Sequence, residues 1–157
     1  MTTSPDFPAV PSSQHANASV ELTLPELEVW GESLAKSLSR PCVVTLAGDL
    51  GAGKTTLARA LCRGFGVTDA NAVTSPTFAI LQEYAAPEFR VTHVDLYRLG
   101  NEQELDNLGW DEIVDSAQAL IVEWPERTAR GWPAGTVHVQ LGYGVDGLNS
   151  RTVKVLR

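Results

Sequence analysis

Gly48-Asp49-Leu50-Gly51-Ala52-Gly53-Lys54-Thr55 fits the pattern G-x-x-x-x-G-K-[ST] in full. Each residue type in it has a physical task. The glycines let the backbone curl until successive N–H groups point inward at one anion. A helix that starts where the loop ends adds unsatisfied N–H groups and the positive end of its dipole. Lys54 can reach the β- and γ-phosphates of a nucleotide, and the Thr55 hydroxyl is a hard oxygen suited to Mg2+. The chemistry indicated is nucleotide binding by this loop, with Lys54 on the phosphates and Thr55 on the metal.

A phosphate loop that does chemistry also needs an acid at the end of a neighbouring apolar strand, to hold Mg2+ or to orient water. Two acids qualify. Glu123 closes Ala119-Leu120-Ile121-Val122, and ligands of open α/β sheets gather at strand C-terminal ends. Asp95 closes Val91-Thr92-His93-Val94, with His93 on the same strand face two residues earlier. Spacing does not decide which acid holds the metal and which positions water. His93 and Asp95 as a transition-metal pair lack a third ligand at a suitable spacing. Thr74-Ser75-Pro76-Thr77-Phe78 lies in the region from which P-loop switches offer a hydroxyl to the γ-phosphate, and it reads equally as a generic turn stiffened by Pro76. Trp124 follows Glu123 directly, which sets it near the nucleotide pocket or in ordinary packing beside it.

The elements that must hold these residues are legible around them. Cys42–Ala47 is a short apolar, β-branched run of the kind found in buried parallel strands. From Lys54 to Phe65, Leu57, Leu61 and Phe65 recur at helical spacing. Upstream, a strand over Val20–Leu24 leads into a helix whose Leu27, Trp30, Leu34 and Leu38 make one face, ending near Arg40-Pro41. Downstream, strands are predicted over Phe78–Tyr84, Arg90–Asp95 and Ala119–Val122. A short acidic helix is predicted over Asn101–Leu108. Two late strands, Thr136–Leu141 and Arg151–Leu156, are joined by a glycine-rich turn. This alternation predicts a single α/β domain of the P-loop NTPase type, with a mostly parallel central sheet and helices on both faces. Residues 1–19, rich in Ser, Thr, Pro and Ala, read as a disordered tail, and residues 20–157 as the domain.

The chain has 157 residues, and its 19 acidic against 12 basic side chains give a formal charge of −7. That balance disfavours a surface gripping phosphate backbones nonspecifically, while leaving room for one local cationic pocket. Cys42 and Cys62 are too few for a disulfide scaffold and read as reduced, packed thiols. No apolar run is long enough to span a bilayer, and the N-terminus lacks the basic stretch of a secretory signal. The expectation is a soluble, cytoplasmic protein with no membrane partner.

Taken together, GDLGAGKTT (48–56), TSPTF (74–78), HVDLYRL (93–99), GWDEI (109–113) and IVEWPER (121–127) closely resemble the bacterial TsaE (YjeE) family of small P-loop ATPases. The resemblance covers about residues 22 to 155. It implies a role in threonylcarbamoyl modification of the adenosine next to the anticodon, in tRNAs reading codons that begin with A. It implies partners, TsaD and TsaB, which handle the tRNA, so that RNA is met only indirectly. ATP is the implied substrate and Mg2+ the implied cofactor, with hydrolysis needed for repeated turnover. By matching motif, Gly51–Thr56 falls on the phosphates, and Thr55 and Glu123 on Mg2+. Asp95 falls near the γ-phosphate and its water, and Thr77 on the switch threonine. Lys54, Asp95 and Glu123 form the implied catalytic set. Arg151 is a possible counterpart of a basic residue near the nucleotide.

Three other readings compete. A small-molecule or nucleotide kinase would need an acceptor pocket and an Arg-rich lid, for which Glu126–Arg130 is the nearest stretch. A GTPase would need [NT]-K-x-D, and none of Lys36, Lys54 or Lys154 stands in it. A nucleotide sensor without turnover would need no catalytic acid, which Asp95 and Glu123 count against.

Overall fold

The computed structural model describes residues 18–74 and 80–156. Within them the chain runs β1 (Ser19–Thr23), α1 (Leu24–Ser37), β2 (Cys42–Gly48), α2 (Lys54–Gly64), β3 (Leu81–Ala85), β4 (Arg90–Asp95), α3 (Glu102–Leu108), α4 (Trp110–Ser116), β5 (Ala119–Glu123), β6 (Val137–Gly144) and β7 (Gly147–Leu156). The described strands form one sheet in the order β1-β7-β6-β2-β5-β4-β3. Its centre is parallel: β2 pairs with both β5 and β6, and β4 pairs with β5. Its margins are antiparallel, through β3 on β4, β7 on β6 and β1 on β7.

Local chemistry explains the boundaries. The Thr23 hydroxyl accepts from the Glu26 N–H at 3.4 Å while the Thr23 N–H donates to the Glu26 carboxylate at 2.7 Å, a capping box that starts α1. The α1 stripe of Leu27, Trp30 and Leu34 is buried as its spacing requires. It packs with Leu57 and Leu61 of α2 against Val44, Leu46, Ile121 and Val139 of the sheet. The helices approach closely because Gly64 has no side chain: a Cβ there would lie 2.5 Å from the Glu32 carbonyl oxygen. On the opposite face, Leu105 and Trp110 pack on Val43, Val94, Leu120 and Val122. Alternate residues of β2 thus serve the two layers, Val44 one and Val43 the other.

Differences from the sequence reading are local. The first strand begins one residue early, at Ser19, and α1 stops at Ser37 rather than near Arg40. A helix absent from that reading, α4, follows α3 directly. Gly109 adopts φ 73°, ends one helix and starts the other. The two late strands run longer than expected, through most of the glycine-rich turn. Residues 1–17 of the proposed tail, and Thr77, lie outside the described residues. Burial pushes the Cys42 thiol up to about 11 and the Cys62 thiol up to about 12, which disfavours the thiolate, and neither is in a disulfide among the described residues. Among the described residues, no helix is long and apolar enough to cross a membrane.

Candidate nucleotide site

The three central parallel strands β2, β5 and β4 all end at the same edge, and the register aligns Leu46 with Glu123 and Glu123 with Asp95. The loop after β2 therefore opens beside both carboxylates. A cleft of about 400 Å³ lies there, lined by Leu50, Gly51, Gly53, Lys54, Thr55, Thr56, Asp95, Tyr97, Arg98, Glu123 and Trp124. Ala52 belongs to the loop but is fully buried beneath it.

Gly53 sits at φ 101°, a conformation that L side chains rarely adopt, and hands the chain to α2 with no side-chain cap. The first-turn N–H groups of α2, from Lys54, Thr55 and Thr56, have no intrahelical acceptor and suit an anion. Lys54 folds back over the loop: its Nζ donates to the carbonyls of Gly48 at 2.6 Å and Asp49 at 2.8 Å. Burial holds its ammonium below the usual lysine range, against the opposing charges of Glu123, Glu126, Asp95 and Asp49.

Glu123 is 1% exposed and held at both oxygens. The Thr55 hydroxyl donates to Oε1 at 3.3 Å, and His93 Nε2 lies 2.7 Å from Oε2. Asp95 accepts from the Tyr97 N–H at 2.9 Å. Burial raises its carboxyl above the usual aspartate range. The Tyr97 N–H opposes that, nearby Glu123 reinforces it, and the Lys54 ammonium opposes it.

Trp124 takes a left-handed backbone conformation, φ 58° and ψ 51°, unusual for a bulky residue. The turn this makes after β5 brings the indole over Lys54, its ring centre 4.1 Å from Nζ. Tyr97 meets Trp124 at a tilt of 45° with ring centres 4.9 Å apart, and the Arg127 guanidinium lies 5.3 Å from the Tyr97 ring centre. Sequence reasoning gave Tyr97 no role and weighed Arg127 only within the lid stretch; an aromatic two residues after the strand-end acid was the available signal.

Arg151 is brought to the loop but not to the cleft lining. It is 7% exposed behind the loop, where Nε donates to the Ala52 carbonyl at 3.1 Å and one terminal nitrogen to Gly51 at 3.3 Å. Its other terminal nitrogen donates to the carbonyls of Gly147, Leu148 and Ser150. The stretch weighed as a kinase lid is pinned down instead. Glu102 accepts from Thr128, from the Ala129 N–H and from Arg130, and Arg130 also pairs with Asp106.

Comparison with known proteins agrees with this architecture. The crystal structure of Bacillus subtilis YdiB matches with a TM-score of 0.64 at 25% identity, over 88% of this chain and 85% of that one. A protein of Synechocystis named "tRNA threonylcarbamoyladenosine biosynthesis protein TsaE" is 41% identical over 116 residues, 69% of this chain and 72% of its own length. A protein of Treponema pallidum with the same name is 35% identical over 124 residues, 79% and 90% of the two chains. The family model described as "Threonylcarbamoyl adenosine biosynthesis protein TsaE" matches residues 23–152. With that match spanning most of the domain, the chain belongs to the TsaE family.

Proposed function

We propose that this chain is a Mg2+-dependent ATPase of the cytoplasm, required for threonylcarbamoyl modification of the adenosine next to the anticodon, and that it works with TsaB and TsaD. The observation that carries the reading is the convergence of Lys54, Thr55, Asp95 and Glu123 on one cleft at the end of the phosphate loop. The donor set fits magnesium. Thr55 Oγ1 and Glu123 Oε1 are hard oxygens 3.3 Å apart, close to the ~3 Å between neighbouring ligands of an octahedral ion with bonds of about 2.1 Å. Bound there, Mg2+ supplies positive charge to the phosphoryl group as negative charge develops on it.

The chain's own groups do the rest. The loop N–H groups and the start of α2 take the phosphates. Lys54 exchanges its two carbonyl acceptors for phosphate oxygens, which suit an ammonium better. Asp95 holds the water that attacks the γ-phosphorus. The new bond joins water oxygen to phosphorus, the bond from phosphorus to the β-bridging oxygen breaks, and the water proton leaves through Asp95. A carboxylate whose proton affinity burial has raised is the better acceptor for it. Tyr97 and Trp124 wall the cleft beside Lys54.

The test measures phosphate release and tRNA modification together, with and without TsaB and TsaD. Lys54→Ala and Glu123→Ala are expected to abolish ATP-dependent multiple turnover of modification. Undiminished turnover by either variant contradicts the reading. Phosphate transfer to an organic acceptor would indicate a kinase, and tight ATP binding without hydrolysis, partners present, would indicate a sensor.

A further inference from the structure

His93 has no task in the mechanism above, yet it is wholly buried in the central sheet. It lies on β4 in register with Ile121 of β5, and its Nε2 reaches across to Glu123 Oε2 at 2.7 Å. The opposite oxygen of that carboxylate, Oε1, faces Thr55. A buried His–Glu pair is a costly way to fill a core, and apolar residues of similar volume commonly stabilise as well or better. Glutamate also has three side-chain torsions to order. With Oε2 unheld, the carboxylate could turn toward the Lys54 ammonium, whose charge it already feels.

We propose that His93 is a positioning residue: donating from Nε2 to Glu123 Oε2, it turns Oε1 toward Thr55 and presets the two oxygens for a divalent cation. The inference rests on the magnesium role argued above. The tautomer follows from the surroundings. Nε2 faces a carboxylate and must carry a proton, while Nδ1 is buried with no hydrogen-bond partner among the described residues. The neutral ring with Nδ1 bare avoids burying an orphaned N–H. Outer-shell groups of this kind commonly govern metal affinity about 10- to 100-fold.

The experiment is calorimetric titration of ADP at a series of Mg2+ concentrations, with wild type, His93→Asn and His93→Gln. Glutamine can set a donor near the position of Nε2, and asparagine cannot. In His93→Asn the Mg2+ needed for half of the full gain in ADP affinity is expected to rise about tenfold. In His93→Gln it stays within about threefold of wild type, and metal-free ADP affinity is the same in all three. Unchanged Mg2+ dependence in His93→Asn overturns the proposal. So does equal loss of metal-free affinity in both variants, which would mark a merely structural role. Should His93→Asn fail to fold, nitrogen NMR of the wild-type imidazole decides: a proton on Nε2 with bare Nδ1 supports the proposal, and the reverse tautomer overturns it. A wild type whose ADP affinity ignores Mg2+ sinks the magnesium reading itself, and this inference with it.

Discussion

Asp95 shows how a single residue can set stability against chemistry. Burial raises its carboxyl above the ordinary aspartate value, so the folded chain binds that proton more tightly than the unfolded chain does. The folded state then loses stability as pH climbs from the ordinary aspartate value through the raised one. Asp95→Asn removes the penalty and keeps an oxygen for the Tyr97 N–H. Without nucleotide, the variant is expected to melt a few degrees above wild type at neutral pH. The difference should vanish below the ordinary aspartate pKa, and ATP hydrolysis should be lost. Thermal melts across pH check this, and an equal or lower midpoint at neutral pH contradicts it. Asp95, like Lys54, Thr55 and Glu123, is legible in the sequence because its signal is local: a motif or the last residue of an apolar strand. The grip of His93 on Glu123 is not, since its partner stands 30 residues away on another strand and no spacing encodes the contact.

The same distinction holds for whole elements. Helices α1 and α2 and strands β2, β4 and β5 could be read from periodicity and β-branched runs. Two things could not. Seven-residue α4 is too short to display a period, and the antiparallel pairing at the sheet margins depends on which distant strand is adjacent. That pairing has a consequence for the phosphate loop. The β6–β7 hairpin braces the loop from behind, with the Tyr143 hydroxyl donating to the Leu50 carbonyl at 2.8 Å and Arg151 bridging the loop to its own hairpin. Both contacts tie the loop to the hairpin through the loop's own carbonyls. Arg151→Met would strand the buried carbonyls of Ala52 and Ser150, so a loss of about 2–4 kcal/mol in stability is expected in urea melts. ADP affinity should fall about tenfold as the loop loosens, which corresponds to about 1.4 kcal/mol. Arg151→Lys should recover only part of either, because a compact ammonium cannot span loop and hairpin at once. Wild-type stability and affinity in Arg151→Met would show that the tether is idle.

Over the whole molecule the charge of −7 acquires a structural meaning. Many of the cations are engaged within the protein. Lys36, Arg40, Arg63, Arg90 and Arg130 pair with carboxylates, Arg59 donates to the Val73 carbonyl, and Lys54 and Arg151 are buried on loop carbonyls. The cleft beside the phosphate loop sets Lys54 and Arg98 against Asp95 and Glu123 within an acidic body, a site scaled to a nucleotide rather than to a polynucleotide. Binding along a nucleic-acid backbone depends on releasing counterions from several phosphates at once, and it weakens steeply with salt when few cations take part. The chain alone is therefore expected to form no detectable complex with unmodified tRNA at about 0.15 M salt, where charges on the surface are screened beyond ~8 Å. Any association at low salt should vanish as salt is raised. Filter binding over a salt series, with TsaB and TsaD absent and then present, measures this. A salt-resistant complex of the lone chain with tRNA would overturn the view that its nucleotide chemistry reaches RNA through protein partners.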